Sequence, residues 1–190
     1  MIIETAHAKI NFTLSVGSKR ADGYHSIDSL MHSISLSDRI TLTKAEAITL
    51  SVTEGVAPLG RENLMVRAAE RFFEEIGLSG GVSMTLAKRI PSEAGMGGGS
   101  SDAAAVLRGL ARLYKTDLSL ATLARWGASL GADIPFCVMA GAARCQGIGE
   151  KLTPLAAWAH LPLVILRPPV SVSTGKAYQL LDHMGKRPTD

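Results

Sequence analysis

Period two dominates the first fifty residues, and a helical period dominates much of the remaining chain. INFTLSV sets Ile10, Phe12, Leu14 and Val16 on one face, and RITLT and ITLSV continue the alternation expected of half-buried strands. RADGY between the first two strands is a turn signal. From Asn63 the spacing changes: Met65, Ala68, Ala69, Phe72, Phe73 and Ile76 recur at helical intervals, and Gly77 suits a helix end. VSMTLAKRI alternates again through Val82, Met84 and Leu86 and runs into Pro91. Ala103, Val106, Leu107, Leu110 and Leu113 then form an apolar helical stripe. A further helix is predicted from about Leu118 to Leu130, with Asp117 as its cap and Gly131 closing it. PFCVM is a short apolar run, GAARCQGIGEKL a glycine-rich stretch, and LPLVILRPP is strand-like. Ser173 or Thr174 caps a last helix carrying Ala177, Leu180, Leu181 and Met184, followed by a polar linker or frayed tail, GKRPTD. Strands first and mixed elements afterwards favour α+β over a doubly wound sheet.

A chain of 190 residues can bury one substantial core, and 46% hydrophobic with 19% charged residues argues against disorder over most of its length. The net charge of +3 suits an anionic ligand, but Lys and Arg are scattered, so nothing in their placement indicates nucleic-acid binding. Cys137 and Cys145 lack the spacing of a zinc site or a disulfide framework and read as reduced structural thiols. The opening MIIETAHAKI has an acid at Glu4 and no apolar signal region, and LPLVILRPPV falls far short of the roughly 20 residues a membrane helix needs. A soluble, cytoplasmic protein with no membrane partner is expected.

The most informative stretch is PSEAGMGGGSSDAAAVL, where four glycines fall within residues 95–99, between a strand and a helix. A helix start leaves about four backbone N–H groups unpaired and carries a partial positive charge near half a unit. Glycines there let a ligand approach those amides without Cβ interference, a geometry that cradles phosphate. No GK[ST] is present, which excludes the P-loop, and the third glycine of the dinucleotide fingerprint is missing. A tight turn with Ser100 or Ser101 as helix cap is the plainer reading, although two glycines would suffice for that. Asp102 has two readings as well: a first-turn acid, worth roughly 0.3–1 kcal/mol, or a group near a phosphate-bound cation.

On these residues the chain resembles the GHMP kinase superfamily, whose phosphate loop has the form P-x-x-x-G-x-G-G-G-S-S-D. AHAKINFTLSVGSKRADGYHSIDSL, GADIPFCV at 131–138 and GIGEKLTPL at 147–155 extend the match, and RPPVSVSTGKAY resembles the segment entering a second domain. The resemblance implies an α+β GHMP kinase N-terminal domain, a fold shared with the second domain of a ribosomal protein. Residues 1–170 would be the ATP-binding and catalytic domain and 171–190 the start of a linker or second domain, with the remaining C-terminal domain missing. It further implies ATP and Mg²⁺, and a small-molecule substrate, the free hydroxyl of a cytidine-diphosphate-linked methylerythritol. Mg²⁺ ligands and oligomeric state, monomer or homodimer, stay unassigned.

Carried onto this sequence, the resemblance makes Lys9 and Asp133 the catalytic pair. The nucleotide would lie on Pro91, Ser92, Glu93, Ala94, Gly95, Met96, Gly97, Gly98, Gly99, Ser100 and Ser101, with Asn63 and Lys88 also on the cofactor. Asn11, Tyr24 and His25 would meet the cytidine end, with Tyr178 as an opposite stacking face. Taken alone, these residues have blander readings: Lys9 as an edge charge, Asp133 as a turn residue, Asn63 as a helix cap, the aromatics as core. Two positions depart from the family pattern, His7 where proline is usual and Glu93 where glycine is frequent.

Overall fold

Two long strands, β1 (Ile2–Lys19) and β2 (His25–Ala45), form an antiparallel ribbon closed by the RADGY turn, where Gly23 takes a φ of 84°. The computed structural model describes residues 1–158, 160–167 and 173–184. β2 is the axis of a six-stranded sheet: its second half pairs antiparallel with β4 (Gly81–Ala87), its first half with β5 (Ala142–Gly147). β3 (Thr49–Glu54) lies parallel to β4 at one edge, and β6 (Lys151–Leu155) pairs with β5 at the other. The α+β expectation holds.

Helices α1 (Leu64–Ile76), α2 (Gly98–Leu113), α3 (Leu120–Ala128) and α4 (Ile134–Met139) complete the core, and α5 (Thr174–His183) comes later in the chain. α2 is buried on almost every side, through Ser101–Leu107 and on to Leu113. Small residues permit this: a Cβ on Gly109 would stand 2.4 Å from Leu42 Cδ1. Phe72, Phe136, Ile40, Leu42, Met84, Leu107 and Leu110 fill the space between helices and sheet. Each such side chain contributes about 1.5–3 kcal/mol by leaving water.

Several expectations are corrected. β1 begins at Ile2, and the proposed face of Ile10, Phe12, Leu14 and Val16 is no core face; Leu14 is 49% exposed. Register shifts between His7 and Lys9 and between Asn11 and Thr13 break the alternation, so β1 buries Glu4, Ala6, Ala8 and Lys9 instead. α3 starts later than predicted, because the Ser119 hydroxyl, not Asp117, accepts the Thr122 amide at 3.1 Å. PFCVM belongs to α4, and the glycine-rich stretch opens as β5 before the β5–β6 hairpin. Residues 161–167 of the strand-like LPLVILRPP pair with no strand, and Val164 and Leu166 are exposed. The end of that segment, the boundary at 170/171 and the GKRPTD tail lie outside the described residues. Among the described residues no helix is long and apolar enough to cross a membrane.

Asn63 caps α1: its Oδ1 accepts the Met65 amide at 2.9 Å while its Nδ2 donates to the Pro58 carbonyl at 2.7 Å. Asn63→Ala should therefore lower stability by about 1–2 kcal/mol in urea unfolding, the usual cost of losing a cap.

Candidate active site

Three elements meet where β1 crosses the glycine loop. The register shift beside His7 turns Lys9 inward, so that Ala8 and Lys9 are both buried although neighbours on a regular strand face opposite ways. The Lys9 amide donates to the Met96 carbonyl at 3.0 Å, tying strand to loop. Its ammonium donates to Asn11 Oδ1 at 2.8 Å and lies 3.5 Å from Asp133 Oδ2. Asn11 is steadied in turn by donating to Ser29 Oγ at 2.6 Å. Asp133 stands at the head of α4, makes no capping bond and is 30% exposed, so its carboxylate is open to a ligand.

Gly97 sits against this pair. It is the residue before α2, with φ of 65°, and a Cβ there would come within 3.0 Å of Lys9 Cγ and 3.6 Å of Asp133 Oδ2. The first turn-closing bond of α2 runs from the Ser101 amide to the Gly97 carbonyl at 2.8 Å. The amides of Gly98, Gly99 and Ser100 precede it and lack a helical acceptor. Ser101 itself faces inward, its hydroxyl donating to the His7 carbonyl at 2.6 Å. Met96 is buried with Ala8 and Ile90 beneath the loop, while Ser92 and Glu93 are exposed on it. Glu93 takes φ of 54°, which gives a physical reason for glycine being frequent there.

Lys88 and Asn63 are placed differently from expectation. Both ends of the Asn63 amide are engaged, Oδ1 in capping α1 and Nδ2 on the Pro58 carbonyl of the preceding loop, which favours the cap reading. The Lys88 ammonium lies under the loop, bonded to Asp38 and, at 2.8 Å, to Asp102. Asp38 also accepts the Arg89 and Ile90 amides. Asp102 Oδ1 is buried without a partner. Desolvation pushes the Asp102 carboxyl up to about 7, against the pull of Lys88. Asp102 is thus neither a solvated first-turn acid nor an open carboxylate.

At the far end of the ribbon, His25 is buried and stacks on Tyr178 of α5, ring centres 5.0 Å apart and 13° from parallel. His25 Nε2 lies 2.7 Å from Asp182 Oδ1, and this hydrogen bond holds the Asp182 carboxyl below the usual range. Tyr24 is 58% exposed at the hairpin tip. The fold therefore brings His25 and Tyr178 together and leaves the Tyr24 ring on the surface. Cys137 and Cys145 are free and buried, their thiols pushed up to about 12 and about 11 by desolvation.

Residues 63–141 match the model of the GHMP kinases N-terminal domain. A 4-diphosphocytidyl-2-C-methyl-D-erythritol kinase of Clostridium kluyveri is 42% identical over 178 residues, 93% of this chain and 64% of the relative. A crystal structure of 4-(cytidine 5′-diphospho)-2C-methyl-D-erythritol kinase superposes with a TM-score of 0.79 at 40% identity, over 99% of this chain and 65% of that one. The chain is similar to the GHMP kinases. A mevalonate kinase, at 13% identity and TM-score 0.64 over 82% of this chain and 56% of its own, shares the fold. The chain spans less than two thirds of the length of these relatives.

Two site neighbours have no motif to announce them. Asp38 is one acid in an alternating strand, and only its burial with Lys88 singles it out. Asp182 has a weak signal, standing four residues after Tyr178 on the same helical face.

The raised Asp102 value gives a signed expectation. Unfolded, the group titrates near 3.9. Its bound proton favours the native state fully below that value, and the contribution is lost as pH rises through about 7. Thermal melts should show wild-type stability falling between about pH 4 and 7 relative to Asp102→Asn, with the difference levelling off above that window.

Proposed function

We propose that the protein containing this chain transfers the terminal phosphoryl group of ATP to the free hydroxyl of 4-diphosphocytidyl-2-C-methyl-D-erythritol, a step in non-mevalonate isoprenoid synthesis. The observation that carries the reading is the convergence of Lys9 and Asp133 on Gly97, at the open mouth of α2. Bare amides there offer donors to phosphate oxygens, and the helix dipole favours their charge. The names of the matched relatives support the same substrate.

In this reading Asp133 accepts the proton of the attacking hydroxyl. Lys9, held by Asn11 and by Asp133 itself, orients the carboxylate and offsets charge developing on the transferred group. A carboxylate is a weak base for an alcohol, but phosphoryl transfer has a loose transition state and draws most of its acceleration from positioning. Mg²⁺ would arrive with the nucleotide and neutralise phosphate charge. Among the described residues no group of three or more His, Cys, Asp or Glu could hold a metal, which suits an ion carried mainly by phosphates and water. His25 and Tyr178, with Tyr24 at the hairpin tip, would receive the cytidine end. A cytoplasmic location supplies ATP and Mg²⁺.

Asp133→Asn in the intact enzyme should lower kcat by about 10²–10⁴-fold, the usual share of a general base. Calorimetric ATP affinity should stay near that of the parent. Unchanged turnover would remove Asp133 from this role. Parallel assays on homoserine and mevalonate should give far lower rates; equal rates would overturn the substrate assignment.

A further inference from the structure

We propose that Asp102 is a positioning residue that adjusts the charge beneath the phosphate cradle, taking up one proton from solvent as a polyphosphate settles on the mouth of α2. The inference rests on the nucleotide-binding function proposed for this site. It starts from a charge mismatch, one ammonium shared by two carboxylates in a buried site: the Lys88 side chain is 8% exposed, Asp38 0% and Asp102 4%. The two acids are not equivalent. Asp38 is satisfied at both oxygens, by the Arg89 and Ile90 amides and by Lys88. Asp102 has one oxygen on Lys88 at 2.8 Å and the other buried without a partner. The carboxylate with an unsatisfied buried oxygen gains least from ionising, so a proton entering the triad resides on Asp102, where Asp38 is the acceptor that favours it.

The triad also lies in the right place. A Cβ on Gly98 would stand 2.9 Å from Lys88 Nζ, so the ammonium sits directly under the first turn of α2, whose outer side offers its amides. With Asp102 ionised the triad carries a net negative charge, and with Asp102 protonated it is neutral. A polyphosphate on the outer side favours the neutral form, and by linkage the neutral form binds it more tightly. Other charges facing this region are Lys9 of β1 and Asp133 of α4, across Gly97. Cys137 of α4 is also near, with its thiol pushed up to about 12, so it stays neutral. α1 and α3 bury apolar side chains and Gly127 toward the core.

The test is calorimetry of MgATP binding to the intact protein, near pH 7, in buffers of differing ionisation enthalpy. Wild type should take up more protons per nucleotide than Asp102→Asn, whose amide imitates the protonated acid. The wild-type Kd should rise by up to about tenfold per pH unit above about pH 7, the limit for one linked proton, while the variant stays flat once the titration of the nucleotide, common to both, is subtracted. Asp102→Ala, which also cannot titrate, should give the same flat profile. Equal proton uptake and equal pH slopes in wild type and variants would overturn the proposal. Absence of MgATP binding at every pH would instead overturn the nucleotide-binding function, and this inference with it.

Discussion

The absence of a single side chain at Gly97 is the constraint on which the site depends. The aliphatic stem of Lys9 and the carboxylate of Asp133 close around that position, and any Cβ would crowd the lysine stem while touching the carboxylate. The same residue needs the left-handed backbone that turns the loop into α2. One position therefore serves two demands, opening the helix mouth and letting charges from β1 and α4 reach it. The hydrogen bond from the Lys9 amide to the Met96 carbonyl ties the strand to the loop at that point.

Around that point the protein buries charge at some cost. Glu4, Lys9, Asp38 and Asp102 all lie among its least exposed residues. Buried ion pairs seldom stabilise a fold relative to apolar packing, because desolvation offsets the attraction. Their effect here is directional. Asp38 gathers two successive amides after β4 and the Lys88 ammonium, which fixes how the chain leaves the sheet before the loop. Glu4 takes Arg108 and Arg112 from α2, holding the far end of that helix to β1. Polar contacts at both ends set the position of α2, while its alanines supply the close fit between.

Local chemistry makes much of this legible in the sequence. Helical spacing locates α1 and α2 because their apolar positions face a core; the ends of α1 also carry the expected Asn63 and Gly77, whereas Ser100 and Ser101 lie inside α2 and do not cap it. The glycine run and its strand–helix setting identify the loop, since few other structures need so many residues without a Cβ. β1 departs in its details from the expected faces because period-two reasoning assumes unbroken pairing, and register shifts invisible in composition exchange its faces. The β5–β6 hairpin is obscured by its glycines, which serve its turn, where Gly147 and Gly149 have positive φ. The Asp38–Lys88–Asp102 cluster joins residues far apart in the chain, and only folding reveals the encounter.

The irregular pairing of β1 has a further consequence. The His7 ring points outward and its Nδ1 lies 3.0 Å from the Ile34 carbonyl, so the identity of that residue bears little on the buried face. The number of residues between Ala6 and Asn11 is another matter, because inserting or deleting one would rotate the Lys9 ammonium to the opposite side of the sheet. At position 7 the side chain can vary, whereas the spacing that carries Lys9 to the buried face cannot.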